Sequence, residues 1–270
     1  MRLGISYTLK SKGAEDWAEK TAALGCRATS FPLDYHASLK EVEAYMKAAK
    51  DRDIVIAEVG AWSNPMTDNK KEADIAFEKC VEQLRLADYI GANCACNIVG
   101  SAGPVWDAYY PGNYDPDFCK RIVETIQKII EKAAPKKTVY AIEPMPWMVP
   151  AGPDEYLQLI QDVNSPFLGV HLDMVNWMNS FDRLRAQQPF MDEVFEKLHG
   201  RIVSCHLKDC KLKNDLTFQV TEIPIGEGMF DLDYYVKKID EENPELPLLI
   251  EHLPNQRAYV KSMDYAVKRF

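Results

Sequence analysis

Short apolar runs recur along the chain, and each is followed by a longer segment whose apolar residues fall at helical spacing. Arg2 to Thr8 reads as the first strand. The helix after it runs from about Ala14 to Leu24, with Trp17, Ala18, Thr21 and Leu24 on one face and Gly25 to close it. Cys26 to Phe31 is a second strand, ended by Pro32. Ser38 to Arg52 is a second helix, and Ser38 and Glu41 have the spacing of a capping box. Ile54 to Val59 is a third strand, carrying Glu58 just before Gly60-Ala61-Trp62, and the helix Lys70 to Ile90 follows, closed by Gly91. Asn93 to Val99 is a fourth strand. Asp115 is expected to cap the fourth helix, with Pro116 at its first position and Ile122, Ile126, Ile129 and Ile130 keeping the period to Ala134.

The second half repeats the alternation. Strands are expected at Thr138 to Glu143, up to Asp173, at Ile202 to His206 and at Leu246 to Glu251. Helices are expected from Asp154 to Gln161, from Phe181 to Leu198 with a break near Pro189, from Leu232 to Glu242 with Asp231 as cap, and from Gln256 to Arg269. Eight strands alternating with eight helices, without linker, repeat or compositional shift, predict an α/β fold, a single (β/α)8 TIM barrel domain over residues 1–270. Three stretches exceed short connections. They are the aromatic loop from Gly100 through Trp106, Tyr109, Tyr110 and Tyr114, the rigid apolar Pro144 to Pro150 with Trp147, and Cys210 to Gly228, where Leu216 to Ile223 alternates like an extended arm.

Charge and cysteine usage narrow the partners. Lys plus Arg is 32 against 41 Asp plus Glu, a net charge of -9, which is a poor footprint for nucleic acid. No apolar segment approaches the length of a membrane span, and the chain opens on a strand rather than a signal peptide. Seven cysteines, an odd number set mostly in apolar runs, read as reduced thiols of a cytoplasmic protein. Cys94 and Cys96 share a strand face but lack further ligands nearby.

Candidate chemistry gathers at strand ends. Glu143, Asp173, His206 and Glu251 close the last four strands, and in a barrel those carboxyl ends converge on one face. Three carboxylates and one imidazole suit a divalent cation such as Mn²⁺, Mg²⁺ or Co²⁺ better than a structural zinc. Without a cation the carboxylates would repel one another. Lys208 is placed to act as an electrostatic clamp, and Asp209 either to support the metal ligands from behind or to brace a loop. His171 is expected deeper in the barrel, and His252, next to Glu251, is expected to face away in a structural role. Glu58, Trp62 and Asn97, at the ends of the third and fourth strands, are expected to meet substrate from the opposite wall. Trp106, Tyr110 and Trp147 would form an apolar wall over the metal, with an oligomer contact as the competing reading. The Gly226-Glu227-Gly228 turn lacks the spacing and lysine of a phosphate loop.

Several of these signals together resemble the sugar isomerase and epimerase superfamily with a xylose-isomerase-like barrel. They are Glu143-Pro144, His171-Leu172-Asp173, His206-Leu207-Lys208-Asp209, Gly226-Glu227-Gly228 with a following Asp, and the final Glu251. The resemblance spans essentially the whole chain. It implies that Glu143 and Glu251 bind the metal and also move protons, with Asp173 and His206 as the middle ligands. Asn176 stands where the family's epimerases carry a substrate-binding histidine, and Lys208, Lys211 and Lys213 lie where they carry an arginine. The implied activity is metal-dependent isomerisation or epimerisation of a keto sugar or related polyol. It would run through a chelated enediolate, with Mn²⁺ as cofactor and a small carbohydrate as partner. Elimination from a 3-keto sugar or C-glycoside-derived substrate, as a lyase or dehydratase, would use the same centre. Such relatives work with a partner subunit or after an oxidoreductase, and a homo-oligomer or a partner subunit is an expectation for this chain. A sugar-binding barrel without turnover is a further alternative. The endonuclease branch needs a histidine-rich multinuclear centre, and this chain has five histidines.

Overall fold

A computed structural model describes residues 1–270. The barrel strands are β1 (Arg2–Ile5), β2 (Ala28–Ser30), β3 (Val55–Gly60), β4 (Cys94–Asn97), β5 (Val139–Ile142), β6 (Leu168–Asp173), β7 (Ile202–Leu207) and β10 (Pro247–Ile250). They close in the order β1-β10-β7-β6-β5-β4-β3-β2, every neighbouring pair parallel. The helices outside are α1 (Ala14–Ala23), α2 (Leu39–Lys50), α3 (Lys70–Ile90), α4 (Pro116–Ala133), α5 (Pro153–Val163), α6 (Phe181–Arg185), α7 (Gln187–Lys197), α8 (Leu232–Glu242) and α9 (Gln256–Arg269). This is the (β/α)8 barrel that the periodicity predicts. No helix is long and apolar enough to cross a membrane.

Local chemistry explains the boundaries. Ser38 and Glu41 form the capping box of α2, and the Asp231 side chain accepts from the Tyr234 N–H at 3.1 Å at the start of α8. Gly91 ends α3 in the left-handed region at φ 72°. The Asp115 side chain, in contrast, makes no capping bond, and α4 starts on Pro116, whose missing N–H is one that a first turn leaves unbonded. The same reasoning moves the break in the sixth helical segment. It falls at Ala186, while Pro189 sits within the first turn of α7 and is tolerated there. The buried face of α4 carries Phe118, Ile122, Ile126, Ile129, Ile130 and Ala133. Each of its large members contributes about 1.5–3 kcal/mol as an upper estimate.

Two register shifts aim polar residues inward. The shift between Val170 and His171 leaves Val203 as an extra residue of β7 and sets Asp173 opposite His206. The shift between Thr29 and Ser30 sets Ser30 opposite Glu58, and the Ser30 hydroxyl donates to Glu58 Oε1 at 2.5 Å. The expected extended arm is one strand of an antiparallel hairpin, β8 (Asp209–Leu212) with β9 (Val220–Ile223), which leaves the barrel directly after β7.

Candidate metal centre

The four strand-end residues come together. Glu143 directly follows β5, Asp173 and His206 lie in β6 and β7, and Glu251 directly follows β10. One ligand atom from each lies within 4.8 Å of the others. His206 Nδ1 is 3.0 Å from Glu251 Oε2, 3.2 Å from Glu143 Oε1 and 3.7 Å from Asp173 Oδ2. An imidazole N–H donates to one acceptor, so it does not satisfy three carboxylates at once. Donors that each sit about 2.1 Å from a shared cation are roughly 3 Å apart at right angles, which matches these separations. Asp173 Oδ2 and Glu251 Oε2 are buried and accept no well-aligned hydrogen bond. The residues therefore fit a divalent cation, and the donor set of three carboxylate oxygens and one nitrogen is that of a hard to borderline metal.

Electrostatics within the cluster are uneven. Burial and the neighbouring Glu251 charge push the Glu143 carboxyl up. Glu251 is also penalised by burial, yet His206 and Lys208 pull it down to about 2. Burial disfavours the ionised Asp173 too, but Lys208 and His206 outweigh it and hold that carboxyl well below the usual range. In the metal-free protein Glu143 is thus the member that holds a proton most readily.

Lys208, 2% exposed, sits at the centre of the rim. Its Nζ lies 2.8 Å from Asp173 Oδ2, 3.0 Å from Asn176 Oδ1, 3.1 Å from Glu222 Oε1 and 3.1 Å from His252 Nδ1. An ammonium has three donors, so Lys208 is fully engaged with protein. Burial opposes its charge, but Asp173 and Glu251 hold its pKa well above the ordinary lysine value. Asn176 is a brace rather than an open substrate contact. Its amide donates to Pro144 O at 3.0 Å and Glu143 Oε1 at 3.3 Å and accepts from Lys208.

Three placements differ from expectation. His252 does not face away: its φ of 56° breaks the strand alternation, and the ring turns back to lie 3.1 Å from Glu222 Oε2 and 3.4 Å from Glu251 Oε2. Asn97 is fully buried and spends its amide on Ser63 O at 3.0 Å and on Tyr140 Oη at 3.2 Å, so it braces the barrel instead of meeting substrate. Glu58 is likewise buried below the mouth. Its Oε2 lies 2.9 Å from His171 Nε2 and 3.5 Å from His206 Nε2, and His171 sits deep, as expected.

The trough around the mouth is partly built. Trp62 is partly buried against Cys94, Cys96 and Ala141, and a Cβ on Gly60 would lie 2.4 Å from its indole nitrogen. Trp106 packs partly buried against the core, while Tyr110 and Trp147 are 38% and 41% exposed. Trp147 Nε1 donates to Asp107 O at 2.9 Å, which ties the two aromatic loops together. Asn179 Nδ2 donates to Pro146 O at 2.6 Å, which ties the second loop to the segment after β6.

Sequence reasoning missed Glu222. Its only signal was the alternation of the arm, and the antiparallel pairing Cys210 with Glu222 is what swings it over Lys208. Asp209 proves to be the loop brace. Its carboxylate, 1% exposed, accepts from the backbone N–H groups of Cys210, Gly226, Gly228 and Phe230 at 2.8 to 3.2 Å. Gly228 is required there, because a Cβ would sit 2.0 Å from Asp209 Oδ1. The cysteines are free, and none joins a metal-type cluster.

Several solved structures share this architecture. The probable 3-DHS dehydratase AsbF involved in petrobactin synthesis from Bacillus anthracis is 16% identical with a TM-score of 0.76, covering 100% of both chains. Endonuclease IV from Thermus thermophilus is 16% identical with a TM-score of 0.75 over 100% of both chains. D-psicose 3-epimerase from Clostridium cellulolyticum, solved with D-tagatose, is 13% identical with a TM-score of 0.73, covering 99% of this chain and 97% of that one. At such identities the likeness is one of fold, and no curated protein matches the sequence. Residues 18–269 match the xylose isomerase-like TIM barrel family, and the chain belongs to that family.

Proposed function

We propose that this barrel is a divalent-metal-dependent isomerase or epimerase acting on an uncharged keto sugar or related polyol. The observation that carries the reading is the placement of two carboxylates, Glu143 Oε1 and Glu251 Oε2, 3.2 and 3.0 Å from one nitrogen of His206. A cation held there, Mn²⁺ in this reading, supplies Lewis-acid polarisation of a carbonyl and its neighbouring hydroxyl. Glu143 accepts a proton from the carbon beside that carbonyl, and Glu251 returns one. Asp173 and His206 complete the ligand set, and Lys208 holds Asp173 and Asn176 in place. Lys208, the buried cation beside the cluster, is already saturated by protein acceptors and is not free to hold a phosphate, which favours a neutral sugar. Trp147, Tyr110, Trp106 and Trp62 give that sugar an apolar wall on which to stack. Structural similarity to a keto-sugar epimerase supports this reading.

Elimination is the second reading. The favouring observations are the half-exposed aromatic loops, which would accommodate a bulky leaving group, and a dehydratase of the same fold. Nucleic-acid cleavage is disfavoured by the net charge of -9.

The test is solvent exchange. Incubated with a panel of keto sugars in D₂O and Mn²⁺, the protein should place deuterium at a carbon next to the carbonyl. Glu251→Gln should slow that exchange by about 10²–10⁴-fold while sugar binding persists. A product of unchanged formula identifies isomerisation, and an unsaturated product or a released aglycone identifies elimination. Absence of exchange and of product across the whole panel would overturn the proposal.

A further inference from the structure

Below the mouth, the other side of the His206 ring meets a second set of donors. His206 Nε2 is 3.0 Å from His171 Nε2 and 3.5 Å from Glu58 Oε2, and His171 Nε2 is 2.9 Å from the same carboxylate oxygen. All three side chains are buried, at 2% exposure or less. Glu58 Oε2 accepts no hydrogen bond, although Oε1 of the same carboxylate is bonded to Ser30. Ser204, on the same face of β7 one step deeper than His206, has a buried hydroxyl that also lacks a partner.

Hydrogens alone do not satisfy this triangle once the mouth is loaded. A neutral His206 that ligates through Nδ1 carries its hydrogen on Nε2, aimed at His171 Nε2. If His171 Nε2 presents a lone pair, that lone pair stands 2.9 Å from the Glu58 oxygen, two acceptors face to face. If it carries a hydrogen, two N–H groups 3.0 Å apart share the one Glu58 oxygen, at 2.9 and 3.5 Å, in directions that give neither a well-aligned bond. His171 Nδ1 is already directed at Ser204 O, 3.3 Å away, so the ring has no freedom to turn. A cation between the three atoms removes the conflict, since each then presents a lone pair to the same positive centre. The separations of 2.9 to 3.5 Å are again those of donors about 2.1 Å from a shared ion.

We propose that the barrel binds a second divalent cation inside, held by Glu58 Oε2, His171 Nε2 and His206 Nε2, with the His206 ring bridging it to the mouth cation. This rests on the reading of the mouth as a metal centre. Two imidazole nitrogens and one carboxylate oxygen form a softer set than the mouth offers, and they suit Zn²⁺ or Co²⁺. Charge is nearly balanced: the carboxylates of Glu58, Glu143, Asp173, Glu251 and Glu222 and a bridging imidazolate carry six negative charges against five positive on Lys208 and two dications, with His252 beside Glu222. A protonated His171 would balance charge equally well with one cation, but it would bring the poorly aligned N–H groups with it.

The test counts metal. Chelator-stripped protein loaded with Co²⁺ and desalted should retain two cobalt ions per chain by elemental analysis. Glu58→Gln, isosteric and uncharged, should retain one. Crystals of the wild-type protein soaked in Co²⁺ should show two anomalous peaks, one on each side of the His206 ring. This second measurement does not depend on the folding of any variant. One cobalt in both the wild type and Glu58→Gln, with a single peak on the Nδ1 side, would overturn the inner site and leave the mouth intact. No cobalt in the wild-type protein would overturn both.

Discussion

Removing the cation should cost the fold measurable stability. Ligand atoms of Glu143, Asp173 and Glu251 lie within 4.8 Å of one another. At that separation and an effective dielectric near 20, each like-charge pair costs about 3.5 kcal/mol, before Lys208 and His206 offset part of it. A dication binds the folded cluster and not the unfolded chain. At a free concentration 100 times its dissociation constant it therefore adds about 2.7 kcal/mol of stability. Unfolding entropy of about 2.1 cal/mol/K per residue converts that to a rise in Tm of about 5 °C for this chain. The assay is thermal unfolding in excess chelator and in a graded series of Mn²⁺. Glu143→Gln is the informative variant. Burial and Glu251 raise the Glu143 pKa, so its neutral form is favoured on folding and the ionised form is a burden that grows as pH rises through the folded pKa. In chelator the variant should therefore match or exceed the wild type, by a margin that widens with pH, while losing most of the Mn²⁺ response. Equal Tm values for the wild type with and without Mn²⁺, at every concentration tried, would mean that the cluster holds no cation.

Asp209→Ala should destabilise the protein by about 3 kcal/mol or more, because four backbone N–H groups lose a charged acceptor in a buried turn. Chemical denaturation checks it, and a loss under 1 kcal/mol would remove Asp209 as the brace of the Gly226–Gly228 turn. Thiol alkylation of the folded protein at pH 8 should label Cys119 first and leave Cys26, Cys205 and Cys210 unmodified, since Cys119 alone among the seven is not buried and burial pushes the other three to about 12. Mass spectrometry of the peptides reads the order directly.

Much of the architecture and the mouth was legible in the chain because both depend on local pattern. Apolar runs of strand length, each closed by Glu143, Asp173, His206 or Glu251, place their last residues on the carboxyl face of any barrel they build. What escaped depends on departures from that pattern. The left-handed backbone at His252 reversed the side its ring faces, and nothing in its residue type signals this. Glu58 and Asn97 lie at the right height in sequence, yet the register shift beside Ser30 and the hydrogen bonds to Ser63 and Tyr140 commit them to the interior. Glu222 is brought in by a hairpin whose pairing is long-range, so its approach to Lys208 has no local trace.

The most direct test of the metal centre is anomalous diffraction from crystals soaked in Mn²⁺ and measured near the manganese edge. A peak is expected at the barrel mouth within coordination distance of Glu143, Asp173, His206 and Glu251, about 2.0–2.3 Å from their nearest oxygens and nitrogen. An intact barrel with no peak at that position, in crystals whose solvent contains millimolar manganese, would contradict it.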